Sequence, residues 1–291
     1  MLVVNANASG VGGVRAALRD AGDALIASGG RLRSAHATRS LRELAAAIED
    51  AGDSRVVLVG GDGAIHAAAN VSPPGGELAL IPAGRANNVA RATGIPLSRA
   101  AAARVAIAEQ ARPFDVLRVV TPSRELLAVE GVSAGFQAAA RSRYRAENSA
   151  DLGQGLAALA RALVAYAPYR AALSIDGGAP LTLETAQLFV SNLSLFGFGF
   201  PVAPAARPDD GVADLVVLPA PRSRVGVLRE LWRVRRAAHI RPGGGRTQRM
   251  LTLEIVSPMP LVADAEVLGR VTARIEIVPA AMRLVRPGRL A

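Results

Sequence analysis

The 291-residue sequence contains no cysteine, and all 34 of its long cationic side chains are arginine, with no lysine. Without thiols there are no disulfides, thiolate zinc sites, iron–sulfur ligands or cysteine nucleophiles. Without lysine there is no G-x-x-x-x-G-K-[ST] P-loop, no protein-kinase strand lysine, and no Schiff-base amine for pyridoxal or class I aldolase chemistry. Histidine occurs only at His36, His66 and His239. These are too scattered for a His-rich metal centre, so any metal is expected to be an oxygen-ligated hard cation such as Mg²⁺. Aromatic residues make up 3% of the chain, which leaves few stacking platforms for single-stranded nucleic acid. The start, Met1-Leu2-Val3-Val4-Asn5, lacks a basic leader, and no apolar run reaches the roughly 18 residues of a spanning helix. A cytoplasmic protein is expected.

Hydrophobic residues are 51% and charged residues 20%, a balance that supports a packed core. The length suits one large or two ordinary domains, at roughly 100 to 200 residues each. The net charge of +10 attracts nucleic acid, anionic membrane and phosphorylated ligands alike, so it does not choose among them. The arginines are spread along the chain and form no nucleic-acid module, so nucleic acid is not an expected partner.

The first third alternates short apolar runs with amphipathic segments, the pattern of βα units on a parallel sheet. Strands are expected at 2–5, 55–59 and 78–81, each running into a loop and then a helix, with further helices at 41–51 and 100–109. From about Phe114 the texture changes to strand-like pieces at 116–120, 126–132, 171–175, 181–183, 187–192, 212–218 and 251–256, interrupted by a helix at 155–166. Strands following a βα region indicate a second, mainly antiparallel unit. The expected organisation is an α/β nucleotide-binding domain over 1–115, a β-sandwich over 116–275, and a C-terminal return to the first domain over 276–291.

The loop Gly60-Gly61-Asp62-Gly63 lies between a strand and a helix, where backbone N–H groups and the helix dipole favour phosphate. Asp62 would repel a bare phosphate, and fits if it orients a water or a Mg²⁺ ion carried with a nucleotide. A tight turn with Asp62 as helix cap explains the same residues. Three such loops after parallel strands would share one rim of the sheet and converge on one crevice. No G-x-G-x-x-G is present, because Arg15 stands where the third glycine of the Gly10-x-Gly12 run should be, so a dinucleotide site is not supported.

Taken in order, Asn5-Ala-Asn-Ala-Ser9-Gly10, Gly60-Gly-Asp-Gly-Ala64 and Pro82-Ala-Gly-Arg-Ala-Asn87-Asn-Val-Ala90-Arg91 resemble the N-P-x-S-G, G-G-D-G-T and P-x-G-T-x-N-D-x-A-R motifs of the diacylglycerol kinase catalytic-domain family. That family includes bacterial lipid kinases and sphingosine kinases. Downstream, 153–166 resembles its helix before the second-domain strands. Asn192, Pro204-x-Ala206 and Asp210-Gly211 resemble its N…P-x-A-x-x-x-D-G stretch, and Asp264-Ala-Glu266 its D-G-E. The resemblance implies a lipid kinase with ATP and Mg²⁺ as cofactors and an ATP site between two domains. Thr38, Gly60, Gly61, Asp62, Gly63, Ala64, His66, Gly84, Arg85 and Asn87 would surround the nucleotide, with Asn5 and Ser9 at its rim. Asp62, Asp264 and Glu266 would be catalytic, Glu266 as the base that takes the proton from a lipid hydroxyl. Asp210, the Val212 carbonyl and Asp214 match a structural Mg²⁺ position. On local evidence alone, both Asp264-Ala-Glu266 and Asp209-Asp210-Gly211 also read as simple turns. Asp115 would join a catalytic water network or cap a strand.

Several family residues are replaced. Two phosphate-side threonines are Ala64 and Arg85, the N-D pair reads Asn87-Asn88, the N-E after G-G-D-G-T reads His66-Ala67, and the glycine of D-G-E is Ala265. Arg85 can offset the lost hydroxyls through a guanidinium fork or fill the pocket. A degenerate member that binds nucleotide or lipid without efficient transfer is the alternative to an active kinase. The implied partners are a lipid presented at a membrane surface, with peripheral contact to the anionic inner face, and a second copy of the chain in a homodimer. The segment 222–241 places Val225, Leu228, Leu231 and Trp232 at helical spacing with Arg229, Arg233 and Arg236 on another face. It reads either as an interfacial membrane helix or as a helix docked on its own domain. Phe196, Phe198 and Phe200 would line an acyl groove or pack inside the sandwich.

Overall fold

The computed structural model describes residues 1–7, 13–71, 76–142, 152–240 and 246–288. Strands β1 (Leu2–Asn5), β2 (Ala35–Thr38), β3 (Val56–Gly60) and β4 (Glu77–Pro82) form a parallel sheet in the order β4, β3, β1, β2. β1 and β3 are buried almost throughout, as strands covered on both faces must be, which is why they read as unbroken apolar runs. Helices α1 (Val14–Ala27), α2 (Leu41–Ala51), α3 (Asp62–Ala69), α4 (Asn88–Thr93) and α5 (Arg99–Ala108) surround that sheet. α2 starts with a reciprocal cap: Glu43 N donates to Ser40 Oγ at 3.2 Å, and Arg39 N donates to Glu43 Oε2 at 2.7 Å.

The second unit is antiparallel. It contains β5 (Ala111–Val120), β6 (Glu125–Ala128), β7 (Gly131–Gly135), α6 (Phe136–Ser142), α7 (Leu152–Val164), β8 (Tyr169–Ile175), β9 (Leu181–Thr185), β10 (Gln187–Ser191), β11 (Ala213–Leu218), α8 (Arg224–Arg235), β12 (Arg246–Met250), β13 (Thr252–Ala263) and β14 (Glu266–Val285). Its core, which includes Leu117, Leu173, Leu188, Leu215, Leu253, Leu261 and Ile275, is separate from the core around Leu2, Leu58, Ile65, Leu80 and Ile81.

Two differences from the sequence expectation have physical causes. The strand expected over 126–132 is two strands, because the N–H groups of Val129, Glu130 and Gly131 all donate to the Asp264 carboxylate. The strand expected at 251–256 continues to Ala263 through Pro258, which falls in a register shift between Ile255 and Met259, and Pro260, which lies opposite Arg270 in the resumed ladder.

β5 and β14 form a ribbon common to both units. β14 pairs antiparallel with β13 and β5 in the sandwich, then with β5 and, in parallel, with β4 at Arg283–Val285. The ladder shifts register between Val278 and Met282, where Ala280 takes a left-handed φ of 52°. Asp115, 2% exposed, fills this bulge: Ala280 N donates to Oδ1 at 2.7 Å and Gly211 N to Oδ2 at 2.8 Å. Asn192 Nδ2 donates to the Asp115 carbonyl at 2.7 Å and to the Val129 carbonyl at 3.0 Å. Asp115 is therefore a structural tie between the bulge and the 208–211 turn. Asp115→Ala, which removes the acceptor of two partly buried N–H donors, is expected to lower stability by about 2 kcal/mol, read as a drop in the urea midpoint.

Candidate active site

The loops after β1, β3 and β4 share one rim because these strands are parallel and in register, Gly60 lying opposite Pro82. The second and third loops touch through backbone. Ala83 N donates to Gly60 O at 2.7 Å. A Cβ added to Gly84 would lie 2.5 Å from Gly61 Cα, and one on Gly61 would lie 2.7 Å from Gly84 Cα, so only glycine fits at either position. Asn87, left-handed at φ 51°, closes the third loop on itself: Gly84 N donates to its Oδ1 and its Nδ2 donates to Gly84 O, both at 2.9 Å. Ala64 is buried, and a Cβ on Gly60 would sit 2.5 Å from its methyl group.

At the rim, Asn5 accepts from Asn7 N at 3.0 Å, and the carbonyl of buried Thr38 accepts from Ala6 N at 2.9 Å. Ser9 lies outside the described residues. Gly63 has open space around it, and Arg85 is exposed.

Asp62 does not cap its own helix. Its Oδ1 accepts from Val89 N, at the start of α4, at 2.9 Å. Burial raises its pKa, the N–H groups of Val89 and Asn88 oppose that rise, and the negative charge of Asp264 adds to it.

The turn between β13 and β14 carries Asp264 and Glu266. Asp264 takes the left-handed conformation, φ 50°, and Ala265 does not, so alanine in place of the family's glycine imposes no strain. Asp264 Oδ2 accepts from Val129 N at 2.8 Å and Oδ1 from the N–H groups of Glu130 and Gly131 at 2.9 and 3.0 Å. His66 Nδ1 lies 2.8 Å from Oδ2. With His66 Nδ1 as donor, these four bonds use the lone-pair sites of the carboxylate, which marks Asp264 as a positioning group. Glu266 is more open: its side chain is 39% exposed, Oε2 accepts from Arg124 Nη1 at 2.7 Å, and Oε1 lies 3.4 Å from His66 Nε2.

Arg124 and Glu130 are the site residues that sequence reading missed. Glu130 is the sole charged residue between Leu126 and Phe136, an interruption in an apolar stretch that was the available signal. Its carboxylate accepts from Asn88 Nδ2 at 2.7 Å, and that same nitrogen donates to Gly197 O at 2.6 Å. Burial raises the Glu130 pKa well above the carboxylate range, and the like charges of Asp62 and Asp264 add to it. The charge of Asp264 opposes ionisation of Asp62, both oppose that of Glu130, and the buried Asn88 Oδ1 has no protein hydrogen-bond partner.

Asp210, Val212 and Asp214 lie apart from this cluster. Asp214 is in β11, paired with Ser191, which in turn pairs with Gly131, two strands away. The Asp210 carboxylate is ion-paired with Arg249, which is also in register with Asp214. Among the described residues no three His, Asp or Glu side chains converge as a metal cage. At Asp210 the Arg249 guanidinium supplies the positive charge; burial raises the Asp214 pKa, Arg249 opposes that rise and the charge of Asp210 adds to it.

Burial opposes protonation of His66, but the hydrogen bonds and charges of Asp264 and Glu266 outweigh it and raise its pKa. The stability His66 lends is thus complete below the unfolded imidazole pKa of about 6.5 and lost as pH rises through the higher folded value. Denaturant titrations of wild type and His66→Gln should show the largest gap near about pH 5.5 and a narrower one near about pH 9; a gap independent of pH would refute the charged bridge.

Comparison with known proteins accords with this geometry. Residues 1–119 match the diacylglycerol kinase catalytic domain, and residues 130–286 match the YegS C-terminal NAD kinase beta sandwich-like domain. A Pseudomonas aeruginosa protein named "Probable lipid kinase YegS-like" is 31% identical over 255 residues, covering 81% of this chain and 78% of that protein. A protein of the same name from Pseudomonas fluorescens is 34% identical over 196 residues, covering 62% of this chain and 60% of that protein. A Mycobacterium tuberculosis "Diacylglycerol kinase" is 28% identical over 255 residues, covering 84% and 81%. Among solved structures, a diacylglycerol kinase from Bacillus anthracis superposes with a TM-score of 0.69 at 17% identity, covering 100% of this chain and 97% of that chain. An NAD kinase from Archaeoglobus fulgidus in complex with ATP gives 0.51 at 14% identity, covering 98% and 92%; these two likenesses concern the fold. With both halves matched in order and a relative above 30% identity along most of its length, the chain belongs to the YegS-like lipid kinases of the diacylglycerol kinase catalytic-domain family.

Proposed function

We propose that the protein is an ATP-dependent lipid kinase that transfers the γ-phosphate to a hydroxyl of a lipid such as diacylglycerol. The observation that carries this reading is the approach of Glu266 to His66. It brings the most open carboxylate of the cluster beside the helix that begins at the glycine loop. In this reading the N–H groups of the 60–63 loop receive nucleotide phosphates, the 83–84 N–H groups being spent on Gly60 O and Asn87 Oδ1, and a Mg²⁺ ion carried with the nucleotide would neutralise phosphate charge. Asp62, held by Val89 N at the foot of α4, would hold that cation through water. Glu266 accepts the proton of the lipid hydroxyl, whose oxygen displaces ADP from the γ-phosphorus. Asp264 keeps His66 and the 129–131 backbone in register beneath it, and Arg124 keeps Glu266 aimed. A transfer assay with γ-labelled ATP, Mg²⁺ and a mixed lipid extract should give a labelled lipid with wild type and a loss of at least about a hundredfold in Glu266→Ala. Normal transfer by that variant would sink the base assignment. ATP binding without any labelled lipid would identify a degenerate member.

Among the described residues no helix is long and apolar enough to cross a membrane, and the same reading assigns the lipid end to α8. α8 docks through Gly226, Val227, Glu230 and Val234, so Val225, Leu228 and Trp232, three and four residues apart, are exposed. Arg236 stacks on Trp232 at 4.3 Å. A cavity of about 520 Å³ opens beside it, lined by Leu195, Gly199, Pro201, Trp232, Arg235 and Arg236. Phe196 packs inside against Phe189, whereas Phe198 is 73% exposed and directly follows Gly197, whose carbonyl holds Asn88. An apolar stripe among arginines, next to a groove on the side of the Gly197 turn, suits an acyl chain drawn from an anionic surface. Phe198→Ala combined with Trp232→Ala should weaken binding to phosphatidylglycerol vesicles and raise the lipid KM by about tenfold while the ATP KM holds. Unchanged vesicle binding would remove this face from the proposal.

A further inference from the structure

Asn88, the first residue of α4, and Glu130, at the β6–β7 junction, are 42 residues apart, yet they meet as a buried amide–carboxyl pair at 2.7 Å. Position 88 is where the family motif carries a carboxylate, in the N-D that here reads Asn87-Asn88. Asn88 is fully buried and its nitrogen is committed to Glu130 and Gly197 O. The backbone of Glu130 is as firmly held. Its N–H donates to Asp264 Oδ1 at 2.9 Å, and its carbonyl accepts from Asn192 N and Leu193 N at 3.0 and 3.3 Å. Its carboxyl group is buried, and that burial together with the negative charges of Asp62 and Asp264 opposes its ionisation.

We infer that the carboxyl group absent from position 88 has moved across this hydrogen bond: Glu130 supplies it, and Asn88 is the amide that holds it. The pair keeps one carboxylate and one amide at the same point in the cluster, with the donor and acceptor sides exchanged. Glutamate is the residue this exchange requires, because the side chain must reach across the cleft from the β6–β7 junction and is one methylene longer than aspartate. Glu130 is then a positioning residue, acting through Asp62 on the cation that accompanies the nucleotide. This inference rests on the kinase reading above and names a further residue for the same site.

The test is a charge exchange with three variants: Glu130→Gln, Asn88→Asp, and the two combined. Glu130→Gln keeps the shape and an oxygen that can still accept from Asn88, so a merely structural glutamate would tolerate the change. Two readouts are taken, lipid phosphorylation and the Mg²⁺ concentration that half-saturates thermal stabilisation by a non-hydrolysable ATP analogue. Glu130→Gln is expected to lose transfer by about tenfold or more and to need about tenfold more Mg²⁺. Asn88→Asp, which sets two carboxylates against each other, is expected to lose transfer as well. The double variant restores one amide and one carboxylate, the amide now donating from position 130 to the carboxylate at position 88. It is expected to recover both readouts to within about threefold of wild type. Wild-type behaviour of Glu130→Gln, or a double variant no better than the worse single, overturns the exchange while leaving the kinase reading intact. A wild-type protein that neither transfers phosphate nor is stabilised by the Mg²⁺–nucleotide pair overturns both.

Discussion

The arrangement of the site depends on the desolvation of one carboxylate. Asp264 is almost wholly withdrawn from water, and a buried ionised group of this kind persists only if its lone pairs are met. They are met by three successive N–H groups of residues 129–131 and by an imidazole. The cost falls on the sheet, since those N–H groups cannot also serve a ladder, and β6 and β7 are separate strands for that reason. The benefit is positional. One side chain fixes the turn that carries Glu266, the peptide that carries Glu130, and the helix face that carries His66. Three functional groups from three elements therefore share a single anchor, and the accuracy of their spacing follows from the stiffness of short, charge-assisted bonds.

The glycine-loop side follows a different logic, one of backbone proximity. Gly61 and Gly84 touch through main chain, and Asn87 ties its loop into a closed ring with its own side chain. These features are local, which is why Gly60-Gly-Asp-Gly and Pro82-Ala-Gly could be recognised as loops with a purpose from sequence. The parallel sheet was legible for a related reason: strands buried on both faces advertise themselves as short β-branched runs. The antiparallel half was less legible. Prolines inside β13 and alternating charge along β14 look like loop and surface when read one residue at a time, and only their pairing makes them strands.

Long-range chemistry was the least legible. Nothing near Glu130 in the chain marks it as a partner of Asn88, and nothing near Asp264 marks the peptides 133 to 135 residues away that it accepts from. Asp62 looked like a helix cap because caps are commonly local, yet it serves a different helix. α8 shows a complementary lesson. Its period was readable, but the face was not, because Gly226 permits close approach to Pro221 and sends Glu230 inward where an apolar residue would be expected. Glu230 is accommodated there by Arg233 one turn on, at 3.5 Å.

The ribbon of β5 and β14 sets how the cleft can move. Domains joined by a loop swing on a hinge of a few backbone torsions, whereas these two units share a continuous ladder interrupted only where Asp115 is seated. A change in the angle between them is therefore a change in strand twist, distributed over many peptides and resisted by each hydrogen bond along the way. Small rotations between the two strands' ends are inexpensive and large ones are not, with the bulge at Ala280 as the one place where the ladder is already broken.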